Sequence, residues 1–423
     1  QGEGRAIPRV AGRGGESVDP SGGLPPRPAL DLAFSESVDL GPSLLVVDSR
    51  PGSPEEPVGS LRIEAPNITV GPGAQLQSRP FQQHPGGDIE IVGSRILVED
   101  ALITGTFRSA CTDASSCGAV GDIVLEGDRI EVRGSLAEIS ASTDDLRDAG
   151  SVVIRAREQV VVDGGGSPLD GDRYPGIYAR SGAGAGFEGD PNDPGQAERV
   201  AGNAGRIRVE TPELLVRGGA QLSAAVFAGR GGEGGAVELE ISETLAIEGS
   251  TAEGVLSQVS AESNSTVSAV GGRISIRGPG AATEGPAQIR LIDNARLSTS
   301  STGSGPAGEI GLSAGEIELR GGAAISTESG LASNGGEAAD VRLSASGDLL
   351  IREGSRISST SNGDVAPGSI RLEAGGRLEI SGGSQVLARA IREDPSDPPP
   401  GEPNPLELGN VFLSAGSEVW VSD

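Results

Sequence analysis

The sequence predicts an all-β protein, a right-handed parallel β-helix with three short strands per coil and long loop insertions. Three observations carry this reading. Aliphatic residues alternate with polar ones in short pairs down most of the chain, and a period of two belongs to strands. Gly, Ala, Ser and acidic residues separate the pairs, which is the composition of tight corners. The pairs also return at even intervals: Gly205 and Gly235 open units 30 residues apart, Gly308 and Ala339 31, Ala339 and Gly368 29. A unit this small cannot bury its apolar face alone, so successive units must stack.

Taken in order, residues 1–29 are rich in Gly, Pro and Arg and read as an extended arm. Residues 30–58 contain Leu44-Leu45-Val46-Val47 and read as a first strand or cap. From residue 59 to residue 423 the chain reads as the β-helix itself. Its openings stand at Gly59, Gly87, Gly121, Gly150, Gly205, Gly235, Gly272, Gly308, Ala339, Gly368 and Gly409, each followed by an aliphatic pair such as Ile89/Ile91 or Val237/Leu239. A second pair follows, as in Ile130/Val132, Leu215 beside Val216, Leu349/Ile351 and Leu378/Ile380. A third segment then takes the form Gly219-Ala220-Gln221-Leu222-Ser223 or Gly354-Ser355-Arg356-Ile357-Ser358. Strands of successive coils lie about 4.8 Å apart, so eleven openings make a rod on the order of 50 Å long.

Two stretches interrupt the pattern. Residues 163–204 hold little alternation and several Gly and Asp-Pro steps, and read as one long loop from a corner, where solenoids tolerate insertion. Residues 389–408 contain Pro398-Pro399-Pro400, which a central strand excludes. The final unit has Val411/Leu413 and Val419/Val421 but reaches Asp423 without a third segment. Either further chain or a partner subunit completes it, and Val411, Leu413, Val419, Trp420 and Val421 are the candidate contact residues. Trp420 reads either as packing on the last coil or as an anchor at that contact.

Composition narrows the function classes. The formal net charge is −27, and every cationic side chain is Arg, since the sequence has no Lys. Such a surface disfavours nucleic acid and anionic membranes. No apolar run approaches the roughly 20 residues of a spanning helix. A chain that opens on Gln1 and has no Met is expected to be a processed or excised product. Cys111 and Cys117, in a polar loop without a nearby His, read as a small disulfide and hence an oxidising compartment; two free thiols in a reducing one are the alternative.

The strings Gly271-Gly272-Arg273-Ile274-Ser275-Ile276-Arg277, Gly321-Gly322-Ala323-Ala324-Ile325-Ser326-Thr327 and Gly383-Ser384-Gln385-Val386-Leu387 resemble the repeats of filamentous-haemagglutinin-like exoproteins. These are secreted β-helical proteins of two-partner secretion systems in Gram-negative bacteria. The resemblance covers residues 59–388 and 409–421. The amino-terminal secretion domain of that family is not evident. The resemblance implies export, surface exposure and a structural or adhesive role, with copies of itself, other surface proteins or polysaccharide as partners.

Chemistry is sparse. Polysaccharide hydrolases and lyases also use this architecture and are the alternative class. Here, however, the only His is His84, Lys is absent, and the adjacent pair Asp144-Asp145 has no partner motif. Sugar clefts favour aromatic platforms, and aromatic residues are 2% of this chain. No catalytic residue is therefore assigned and no cofactor is required. Asp163, Asp170 and Asp172, on Gly-rich backbone, are candidate calcium ligands by their oxygen chemistry, without the nine-residue repetition of a calcium β-roll. The expectation is a secreted surface protein that assembles head-to-tail through open β-helix ends.

Overall fold

A computed structural model describes residues 30–48, 60–79, 86–105, 120–143, 147–166, 174–182, 202–227, 232–264, 270–279, 285–302, 305–329, 339–362, 367–391 and 409–423. It is an all-parallel β-helix with no helix among those residues. The larger sheet has 20 strands. Four of them, Ile123–Arg133, Val152–Asp163, Arg206–Arg217 and Ala236–Glu248, are long enough to serve two faces, so each of those faces receives twelve rungs. An 11-stranded sheet makes the third face.

Inward residues of each face stack on their own kind. On the first face one register row runs from Leu61 through Ile89, Ile123, Val152, Ile207, Val237, Ile274, Ile310 and Val341 to Ile370. All of these residues are buried, and they belong to one continuous core. Leu312, Leu343 and Leu372 form the neighbouring row. Each inner side chain therefore covers the one below and is covered by the one above, which is how a coil too small to fold alone becomes stable.

The glycines that open the coils stack directly on one another. A Cβ on Gly121, Gly150, Gly205, Gly235, Gly272 or Gly308 would lie within 2.4 Å of the carbonyl oxygen of the glycine one coil earlier. The same glycines close the coil behind them. The N–H groups of Gly150, Gly205, Gly235, Gly272 and Gly308 donate to the carbonyls of Ala141, Ala179, Ala224, Ala261 and Thr299, at 2.8–2.9 Å. Each bond pinches the base of a return from the third face to the first. Those returns vary widely: seven residues separate Asn362 from Ile370, and 27 separate Tyr178 from Arg206. Where Ala339 replaces the glycine, the hydroxyls of Thr327 and Ser359 both donate to its carbonyl (2.9 and 3.2 Å).

Three expectations change. Residues 30–48 form a whole coil, Leu30–Ala33, Ser37–Leu40 and Leu44–Asp48, each strand pairing with the next coil, rather than a single strand or cap. Residues 163–204 are not one loop. Gly176–Tyr178 inside them is a regular third-face strand between Glu138–Ser140 and Gln221–Ser223, and its single inward aliphatic, Ile177, was too little for a periodic signal. The insertion at 389–408 begins later, because Gln385–Ile391 is still strand.

The glycine ladder gives a paired test. Gly308→Ala forces a methyl group against Gly272 and should destabilise by about 1–3 kcal/mol. A Cβ at Gly311, outward on the strand Ile310–Ala314 that follows, meets nothing within 4 Å, so Gly311→Ala should be neutral or raise stability by up to about 1 kcal/mol. Thermal unfolding followed by circular dichroism distinguishes the two, and equal midpoints would refute the ladder's steric role.

Candidate functional site

Where the first and second faces meet, the strands bend. In the four long strands the bend is a slip in register, between Gly127 and Arg129, Arg155 and Gln159, and Thr211 and Glu213. The outer side of this corner is a trough of about 880 Å³ running lengthwise from Phe34 in the first coil to Pro279 in the eighth. Ala65, Gly93, Gly127 and Ala156 are among its small lining residues, and charged side chains border it.

Those charges form a brace across the coils. Glu126, Arg155, Glu210, Glu240 and Arg277 occupy one register row. Arg155 pairs with Glu126 in the coil before and with Glu210 in the coil after (Nε–Oε1 3.3 Å). Arg208 bridges Glu210 (2.8 Å) and Glu240 (3.2 Å), and Arg277 reaches Glu240 at 2.8 Å. Glu240 is 4% exposed, a carboxylate held between two guanidinium groups as a buried anion must be. The Glu126 carboxylate, and then Glu210, hold the Arg155 guanidinium above its ordinary value.

A second cluster on the third face was invisible in the sequence. Both tyrosines of the chain are there. Arg180 stacks on the Tyr178 ring at 3.8 Å and lies 5.0 Å from that of Phe227, while its Nη2 donates to Gln221 Oε1 at 2.9 Å. The Tyr178 hydroxyl donates to the Tyr174 carbonyl. Burial raises the Tyr178 phenol above its ordinary value and lowers the Arg180 guanidinium. Tyr178 is 3% exposed, so its ring packs and presents no platform to a sugar.

The sequence candidates fall as follows. Asp163 ends a second-face strand with its carboxylate engaged: Oδ2 takes Arg217 Nε at 2.8 Å and Oδ1 takes the Gly165 N–H at 3.0 Å. Asp170 and Asp172 lie outside the described residues, as do Cys111, Cys117, His84, Asp144 and Asp145. Among the described residues no group of three or more His, Cys, Asp or Glu is arranged to hold a metal ion. Val411 and Leu413 continue the core rows of Ile370 and Leu372, and Val419 and Val421 those of Leu378 and Ile380. All four are exposed. Trp420 belongs to the outward row, beside Glu379, and Phe412 stands beside Arg371, whose guanidinium is 5.1 Å from its ring. Trp420 is thus no part of the core.

No protein-family model, no curated protein and no solved structure matches the chain.

Glu379, under Trp420, accepts a bidentate contact from Arg352 (2.8 and 2.6 Å) and a further contact from Arg377 at 2.8 Å. The Arg352 bond, helped by Ser381, pulls its carboxyl down to about 2. A depressed folded value means the stabilisation is complete above the ordinary carboxylate range and is lost as pH falls through about 2. Arg352→Met should cost about 1 kcal/mol at neutral pH, given the pair's partial exposure. The gap between variant and parent should close on acid titration toward pH 2, and a constant gap would refute the assignment.

Proposed function

We propose that the protein is a secreted, rod-shaped structural or adhesive protein of the cell exterior, of the kind that filamentous-haemagglutinin-like exoproteins represent. Supporting this is an uninterrupted stack of coils whose outer faces carry ion pairs. Where no further chain follows, the rod associates with a second copy through its twelfth coil. One observation carries this part. Val419 and Val421 are 45% and 64% exposed although they continue core rows, and a β-helix rung presents its unpaired edge beside them.

Two arrangements use that surface. Stacking on the first coil of the next copy propagates a fibre, and stacking on another twelfth coil closes a two-fold dimer. Val38 and Leu40, the first-coil residues of the same face, are only 7% and 8% exposed. The head is therefore the less available end, which favours the closed dimer. Sedimentation and electron microscopy of the 423-residue chain should reveal association that Val411→Glu combined with Val419→Glu abolishes while the strand signal in circular dichroism persists. Monomers at high concentration would overturn the proposal, and fibres rather than dimers would identify the head as the partner surface.

A further inference from the structure

Arginines of the first and second faces are mostly braced by carboxylates, as Arg155, Arg208 and Arg352 are. The third face holds a contrast. Arg296, Ala324 and Arg356 occupy one register row on its eighth, ninth and tenth strands. All three are half-buried, and among the described residues neither arginine forms an ion pair. Arg356 Nε is buried and has no hydrogen-bond partner. On the ninth strand Ser326 points outward with Ala324, because Ile325 between them belongs to the core. Ser326 is 5% exposed, and its hydroxyl also has no partner. One coil earlier Ser298 gives its hydroxyl to the Glu262 carboxylate, so this row bonds an acceptor where one is at hand. Asp293, Glu328 and Glu353 are the carboxylates closest along the three strands, and none of them pairs with Arg296 or Arg356.

The unanswered groups are all donors. A guanidinium offers N–H groups and no acceptor, and the serine hydroxyl adds a further donor. Buried donors without a partner are costly, so an acceptor belongs beside them. The short side chain of Ala324 leaves a gap between two arginines about 10 Å apart along the rod, with Ser326 at its side. Donors from the coil below, the coil above and the flank suit an anion whose oxygens point in several directions. That describes a tetrahedral oxyanion better than a planar carboxylate. Long-range charge narrows the choice further. A net charge of −27 repels a polyanion along the rod, whereas a small anion answers to the charges within a Debye length or less. We infer that Arg296, Arg356 and Ser326 bind a small tetrahedral oxyanion of the sulfate class over Ala324. The site goes beyond the structural role and stands apart from self-association, because none of its residues belongs to the twelfth coil.

The test is calorimetric titration of the full chain with sodium sulfate, ionic strength being held constant with sodium chloride. Saturable binding is expected, weakened about tenfold or more by Arg296→Gln and Arg356→Gln together and severalfold by Ser326→Ala. Acetate should bind about tenfold more weakly than sulfate. Ala324→Glu tethers a carboxylate between the two arginines. It should abolish sulfate binding and raise the thermal unfolding midpoint, which a variant that merely folds badly does not do. Arg371→Gln, on the first face, should leave sulfate binding unchanged. No saturable binding, binding that survives the double arginine replacement, equal affinity for acetate, or an Ala324→Glu midpoint below that of the parent would each overturn the proposal.

Discussion

The structure depends on one close approach: at six successive coil openings the backbone passes directly over the carbonyl of the coil before, with no room for a side chain. Gly121, Gly150, Gly205, Gly235, Gly272 and Gly308 mark that passage. Because the ladder spacing is fixed by the hydrogen bond, a methyl group at any of these six positions would press on the backbone of the coil before. The repeated glycines are therefore a packing requirement, and they set the phase of everything downstream. An alternating pair that starts two residues after a fixed point puts the same side chains inward in every coil.

The same corner explains why insertion is tolerated. The N–H of the opening glycine closes the return by bonding a small residue at the end of the third strand, whether eight residues separate the partners (Ala141 and Gly150) or 25 (Ala179 and Gly205). Loop-closure entropy grows only logarithmically with length, so a longer return costs little once its base is fixed. Length variation is concentrated at one edge of the rod for that reason, and the corners between the other faces stay mostly tight.

Much of this was legible in the sequence. The openings and first-face pairs were readable because a glycine followed by alternation is a local signal. The long strands were harder. Val152–Asp163 passes around a corner through Arg155, Ala156, Arg157, Glu158 and Gln159, with no turn residue to mark the bend. In the next coil the slip at Thr211 and Glu213 makes Leu214 and Val216 the inward pair, where adjacency alone suggested Leu215 and Val216. Gly176–Tyr178 was missed because a third-face strand needs only one inward aliphatic, and Ile177 alone has no period. The trough could not be read at all. Its residues are consecutive along the axis but about 30 residues apart in sequence, and only the stacking register brings Glu64, Glu126 and Glu210 into line.

The all-arginine basic set follows from the same geometry. A guanidinium is a planar fork with several donors, whereas an ammonium is a point charge. Arg155 touches a carboxylate in the coil below and another in the coil above, and Arg208 likewise joins two glutamates on successive rungs. Spanning neighbouring rungs suits the fork, which can face two acceptors at once with its stem held along the sheet. Many of the arginines are thereby committed as cross-braces between coils, while the whole chain keeps a formal net charge of −27. An outer surface built this way repels polyanions and other acidic rods along its length. The braces arise from the stacking itself, because the register brings residues far apart in sequence onto one row, where a guanidinium on one rung meets a carboxylate on the next.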